Sequence, residues 1–200
     1  KQILAIIKEE LLEIKEKFGE ERRTKIIPSE LGKFSEEELV PNEEVVVTIT
    51  SSNYIKRSLS EDYKKQNRGG KGRRGMTTKE EDFIEHLVLA NTHDYLLFFT
   101  NKGRLFRLKA YEVPQVGLIA KGQAIVNLLQ LQPEERVNSV INLSQQGTDG
   151  YMFMCTKNGT VKKTAIGDYK NVRQSGLIAI RLDEGDDLKS PVFLNAEFAF

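Results

Sequence analysis

The sequence predicts a mainly β chain of repeated, four-stranded, propeller-like blades, preceded by one amphipathic α-helix. Two observations carry that reading. Three stretches align with one another: "VVVTITSSNYIKRSL", "YLLFFTNKGRLFRLK" and "YMFMCTKNGTVKKTA". Each is an apolar run ending in threonine (Thr50, Thr100, Thr156), then three turn residues, then a shorter basic run. A tyrosine follows each threonine by 13, 11 and 13 residues (Tyr63, Tyr111, Tyr169), and a glycine by 22, 22 and 20 (Gly72, Gly122, Gly176). Charge oscillates with the same period, at +6 over residues 52–75, +4 over 101–130 and +5 over 154–182, with net-negative segments between them. Spacings of 50 and 56 residues between the threonines suit four-stranded units stacked beside one another. The β-branched and aromatic runs speak against a helical solenoid.

From the N-terminus, Leu4, Ile7, Leu11, Ile14 and Phe18 fall at spacings of 3, 4, 3 and 4. That is a coiled-coil type of helical seam, ended by Gly19 at a C-cap position. Packing on the chain's own domain and service as the tail of a longer element both fit this seam. Residues 28–44, "PSELGKFSEEELVPNEE", read as an acidic linker with one short helical turn. The repeats then occupy about 45–94, 95–150 and 151–200. Lys102-Gly103 and Asn158-Gly159 are their hairpin signals, because glycine supplies the positive φ of a tight turn.

Composition narrows the function. The chain has 200 residues, 39% hydrophobic and 30% charged, which suits one or two domains with a real core. Cys155 is the single cysteine, so an internal disulfide is excluded and a reducing, cytoplasmic compartment is expected. Within "YMFMCT" it reads as a packed strand residue rather than a nucleophile. No run approaches a membrane span, and no basic-then-apolar leader opens the sequence. The acids Glu80, Glu81 and Asp82 lack the partners of a metal site, His86 and His93 stand apart from them, and a solvated face is expected there.

Residues 64–76, "KKQNRGGKGRRGM", call for a phosphate. Gly70 to Gly75 spells G-x-G-x-x-G, but "SLSEDYKKQN" before it is no buried strand, so the dinucleotide reading fails its context. A Walker A loop fails as well, with Lys65 in place of its first glycine. Nucleic acid explains more. Glycines let backbone N–H groups approach a phosphate, and neighbouring cations neutralise it. Lys56, Arg57, Lys64, Lys65, Arg73 and Arg74 form a first basic block beside this loop. Arg104, Arg107, Lys109 and Lys121 form the second, and Lys162, Lys163 and Arg173 the third. Stacked repeats would place these blocks along one rim, suited to the backbone of a bent duplex rather than to base reading. A propeller that binds protein instead is the rival class.

At this point a resemblance becomes specific. "QNRGGKG", Gln66, Asn67, Arg68, Gly69, Gly70, Lys71 and Gly72, resembles the seven-residue box of bacterial DNA gyrase A subunits. "FGEERRTKI" (18–26), "KEEDFIEHLVLANTHD" (79–94) and "NGTVKKT" (158–164) are similar to that family too. The resemblance implies the end of a DNA-cleaving N-terminal part (1–27), a linker (28–44) and the first two to three blades of a C-terminal β-pinwheel (45–200). Such a pinwheel, usually of six blades, wraps double-stranded DNA to support ATP-dependent negative supercoiling. It implies further an A-subunit homodimer joined to B subunits in an A2B2 assembly, with ATP and Mg bound elsewhere and no cofactor in this segment. No catalytic residue is expected here, since the DNA-linking tyrosine of the family follows an arginine and no Arg-Tyr pair occurs. Two departures stand out. Asn67 replaces a basic residue of the box, and six blades need about 300 residues, roughly twice the length of chain beyond the linker. The topoisomerase IV A subunit, whose related region lacks an intact box, is the alternative.

Overall fold

The computed structural model describes residues 2–20, 24, 36–63, 82–143 and 150–195. The chain divides into two compact units, Lys1–Ser35 and Glu36–Phe200. In the first, helix α1 spans Gln2–Phe18, where the seam places it. Lys17 reaches Glu13 one turn back at 2.7 Å, and the Gly19 N–H closes on the Lys15 carbonyl at 2.8 Å. The seam residues Leu4, Ile7, Leu11, Ile14 and Phe18 are exposed.

The second unit opens with α2, Glu36–Leu39, followed by strands β1 (Glu44–Thr50), β2 (Tyr54–Leu59), β3 (Ile84–Asn91), β4 (Tyr95–Thr100) and β5 (Arg104–Lys109). Then come β6 (Gln123–Ala124), β7 (Val137–Asn142), β8 (Gly150–Cys155), β9 (Val161–Ala165), β10 (Leu177–Ile178) and β11 (Val192–Asn195). They form three antiparallel sheets, in the orders β3-β1-β2-β6, β10-β5-β4-β7 and β11-β8-β9. The chain is therefore mainly β, with the predicted blades.

The strand order differs from one blade per repeat. The fourth strand of the first sheet, β6, comes from the second repeat, and the fourth strand of the second sheet, β10, comes from the third. Hairpins β1–β2 and β4–β5 leave an open edge of N–H and C=O groups on β2 and β5, and an incoming strand satisfies it. Gly122 (φ +84°) and Gly176 (φ +81°) make this entry possible. A Cβ at Gly122 would lie 2.4 Å from the Ile55 carbonyl, and one at Gly176 would lie 2.8 Å from the Phe106 ring.

Alternation along β4 explains how the sheets stack. Side chains of a strand point to opposite faces in turn. Leu96 and Phe98 join Val45, Val47 and Ile49 of β1 in one core, while Leu97 and Phe99 join Met152 and Met154 of β8 in another. All four β4 residues are fully buried, so this strand is apolar on both faces. Each such side chain contributes about 1.5–3 kcal/mol by burial.

Residues from Glu36 onward, the last part of the stretch read as a linker, belong to the second unit. Thr92 Oγ1 donates to the Pro41 carbonyl at 2.6 Å, the Glu43 N–H donates to Thr92 Oγ1 at 3.1 Å, and His93 Nε2 meets the Val40 carbonyl at 2.7 Å. The reason is the β3–β4 turn, whose polar groups bond the approaching chain.

The two kinds of glycine separate in a mutational test. At Gly159 (φ +89°) an added Cβ would have nothing within 4 Å, whereas at Gly176 it would meet Phe106. Gly159→Ala is expected to cost about 1 kcal/mol from backbone strain alone, and Gly176→Ala about 1–3 kcal/mol. Urea unfolding of the two variants measures the difference.

Candidate nucleic-acid interface

Each repeat begins its site with the same turn. The Thr50, Thr100 and Thr156 carbonyls accept the N–H three residues on, at 2.9, 3.0 and 3.1 Å. Their hydroxyl oxygens accept the N–H four residues on, at 3.3, 3.2 and 3.1 Å. The third turn residue is left-handed in every case: Asn53 (φ 59°), Gly103 (φ 71°) and Gly159 (φ 89°). An acid from the end of the same repeat locks the turn. Asp82 Oδ1 accepts the Ser52 N–H at 3.0 Å and the Ser51 hydroxyl at 3.1 Å. Asp186 Oδ1 accepts the Asn158 N–H at 3.0 Å, and Thr100 donates to Glu135 Oε1 at 2.6 Å. Burial pushes the Asp82 and Asp186 carboxyls up, but these hydrogen bonds and the adjacent Thr50 and Thr156 hydroxyls outweigh it, so both lie below the ordinary value. The solvated face expected for Asp82 is thus corrected: it is 6% exposed because it caps a turn. Glu80 and Glu81 lie outside the described residues.

The fixed turns set the register of the basic strands. Arg57, Arg107 and Lys163 each stand seven residues beyond the repeat's threonine, opposite Val47, Leu97 and Phe153. Their environments then diverge. Lys56 is 1% exposed, and its ammonium donates to the Leu118 carbonyl and, at 3.2 Å, to that of Ala120. Burial holds its pKa below the usual lysine range. Arg57 is buried too, with Nε donating to the Val113 carbonyl at 3.1 Å and its backbone clasped between Pro114 and Val116. Burial lowers its pKa, against a smaller opposite pull from Glu43. Lys56 and Arg57 therefore do not stand on a solvent-facing rim. Their donors hold the segment of the second repeat that crosses the first sheet.

The second and third repeats present more. Arg104 pairs with Glu135 at 2.6 Å, donates to the Ser175 carbonyl and lies 4.7 Å over Phe106. Arg107 donates to the Lys170 carbonyl, and its guanidinium lies 4.1 Å from the centre of the Tyr95 ring. Lys109 shares that ring at 3.9 Å, and bonds Glu37 at 2.7 Å and the His93 carbonyl at 2.8 Å. Lys121 lies 3.5 Å over Tyr54, and Lys163 4.1 Å over Tyr151. Lys162 donates to the Ala179 carbonyl at 2.6 Å. Arg173 is exposed and, with Arg107, lines a cleft of about 370 Å³ that Phe106, Leu128, Val172 and Gln174 also line. The structure thus brings Arg107 and Arg173 to one cleft across two repeats.

Lys64, Lys65, Arg73, Arg74 and the box Gln66, Asn67, Arg68, Gly69, Gly70, Lys71 and Gly72 lie outside the described residues. Sequence reasoning missed the tyrosines as cation platforms. Tyr54, Tyr95 and Tyr151 carry no such signal in the sequence, and only the pairing register shows that Tyr95 lies diagonal to Arg107. It also missed Glu135 as a partner of Arg104. Among the described residues no three His, Cys, Asp or Glu side chains group as metal ligands, and no helix is long and apolar enough to cross a membrane.

Known proteins share this fold. The family model of the DNA gyrase C-terminal domain, beta-propeller, matches residues 44–91, 94–144 and 150–195. The chain is 50% identical to the DNA gyrase A subunit of Clostridium acetobutylicum over 94% of its own length, and spans 23% of that relative. Among solved structures, the C-terminal domain of DNA topoisomerase IV is similar with a TM-score of 0.64 and 31% identity, over 77% of this chain and 46% of that one. The DNA gyrase A C-terminal domain is similar with a TM-score of 0.60 and 30% identity, over 77% and 49%.

The turn-capping acids generate a pH prediction. A carboxyl depressed in the fold contributes stability that is complete above its unfolded value, ordinarily 3.8, and is lost as pH falls through the folded value. Urea midpoints should therefore be level above that range and drop below it. Asp82→Asn/Asp186→Asn should lower the neutral midpoint and flatten the acid decline.

Proposed function

This chain belongs to the family of DNA gyrase C-terminal β-propeller domains, and on that premise we propose that it binds and wraps duplex DNA for a DNA gyrase A subunit. The observation that carries the proposal is the recurrence of cations at equivalent positions of successive blades, held over tyrosine rings and lining a shared cleft. A ring beneath a cation restricts its rotamers without neutralising it, which leaves the charge available to a phosphate. Charge at repeated positions, with few amide side chains among them, favours contact with the backbone over base readout.

In this reading Arg107, Lys109, Lys121, Lys163 and Arg173 hold successive phosphates, while Arg104 and Lys162 brace the loops beside them. Neutralisation and counterion release offset the cost of bending a stiff duplex. The box Gln66–Gly72 completes the wrap, with Asn67 donating a hydrogen bond where a cation is usual. The segment performs no bond chemistry. Cleavage belongs to the A-subunit homodimer, and ATP with Mg to the B subunits of an A2B2 assembly in the cytoplasm. The likeness to the topoisomerase IV domain leaves decatenation as a second reading, and the box sequence favours supercoiling.

Salt titration of duplex binding tests this. Log affinity should fall with log salt by roughly 0.9 per phosphate neutralised, and Arg107→Glu, Lys163→Glu and Arg173→Glu should each weaken binding and reduce that slope. Lys56→Met should lower stability instead, by about 1–3 kcal/mol for the carbonyls it leaves unpaired, with the slope unchanged. Binding indifferent to salt and to the three reversals would identify a protein-interaction propeller. In the assembled enzyme, alanines across Gln66–Gly72 should abolish supercoiling and spare relaxation.

A further inference from the structure

Among the described basic-rim residues two pair with acids, and the pairs differ in kind. Arg104 meets Glu135, whose side chain is fully buried within the same blade. Lys109 meets Glu37, whose side chain is 40% exposed and belongs to the short α2. Glu37 stands in "EEELVPNEE", residues 36–44, a run with five carboxylates and no cation. We propose that this acidic run is an internal competitor for DNA, occupying on Lys109 the place of a backbone phosphate until the duplex displaces it. The inference rests on the DNA-wrapping reading above.

Three features make the contact displaceable yet poised to return. The pair is partly solvated, and such pairs are weak and screened by salt. Downstream of Glu37, the Val40 and Pro41 carbonyls and the Glu43 N–H are fastened to His93 and Thr92. The released carboxylate thus stays close to Lys109 at a high effective concentration. Lys109 keeps two other supports when Glu37 leaves, the His93 carbonyl and the Tyr95 ring that it shares with Arg107. Two cations over one ring then face the solvent together. The Lys109 ammonium beside it holds the Glu37 carboxyl below its ordinary range, so Glu37 stays ionised and competes as an anion.

The test uses the 200-residue chain and fluorescence anisotropy with a labelled duplex across a salt series. Glu37→Gln should tighten binding and steepen the log–log salt slope by about 0.9, the share of one released cation. Lys109→Met should weaken binding more in the Glu37→Gln background than in the parent. Unchanged affinity and slope in Glu37→Gln, or an equal effect of Lys109→Met in both backgrounds, would overturn the proposal and leave the pair a structural clip. Parallel urea unfolding guards the comparison. If Glu37→Gln does not fold, Glu37→Asp must bind as the parent does and Glu36→Gln/Glu38→Gln must bind more tightly, or the proposal fails. A parent chain without salt-dependent duplex binding would instead refute the wrapping reading on which it rests.

Discussion

The first two blades depend on the exchange of a strand between neighbouring repeats. A hairpin of two strands leaves an edge whose N–H and C=O groups need partners, and here the next repeat supplies them through β6 and β10. The Asn53 carbonyl accepts the Ile125 N–H at 2.8 Å, and the Gly103 carbonyl accepts the Ala179 N–H at 2.9 Å, so both joints are closed in the same way. The exchange also determines where the basic strands face. Lying second from the edge, β2 and β5 are crossed by the following repeat, and their cations meet its carbonyls first.

That meeting divides one class of residue between two tasks. A buried ammonium is costly unless it is hydrogen-bonded, and Lys56 places two of its three donors on the Leu118 and Ala120 carbonyls. Arg57 Nε likewise finds the Val113 carbonyl. In the second and third blades the aromatic at the start of the strand changes the outcome. Tyr95 and Tyr151 lift Arg107, Lys109 and Lys163 onto ring faces, whereas the first repeat has Val45 at that position and buries its arginine. Where Tyr95 and Tyr151 begin the strand, cations lie over their rings, and cations of the same basic strands also bond carbonyls of the following segment.

Much of this fold was legible in the sequence, because its signals were local. The threonine turns, the glycines at 103, 122, 159 and 176, and the α1 seam each rest on residues close in the chain. Gly122 and Gly176 were visible as a repeat, but not as the entry to an exchanged strand, since spacing does not tell which edge a strand joins. The division of the cations was not legible either. Arg57 and Arg107 look alike as letters at the same repeat position, and the burial of Arg57 against the distant Val113 carbonyl separates them. Asp82 looked solvated because its neighbours are Glu80 and Glu81, while its hydrogen bonds run back to Ser51 and Ser52. Glu37 read as linker for the same reason, its partner Lys109 being far along the chain.

The central claim is that stacked, strand-exchanged blades hold charge where it bends a duplex. The direct measurement is linking number. Relaxed circular DNA is incubated with the chain and a nicking-closing enzyme, the protein is removed, and the topoisomers are resolved on a gel. The account predicts trapped supercoils of a single sign that increase with protein and vanish in Arg107→Glu/Lys163→Glu/Arg173→Glu. An unshifted topoisomer distribution at protein concentrations that saturate the DNA would contradict it.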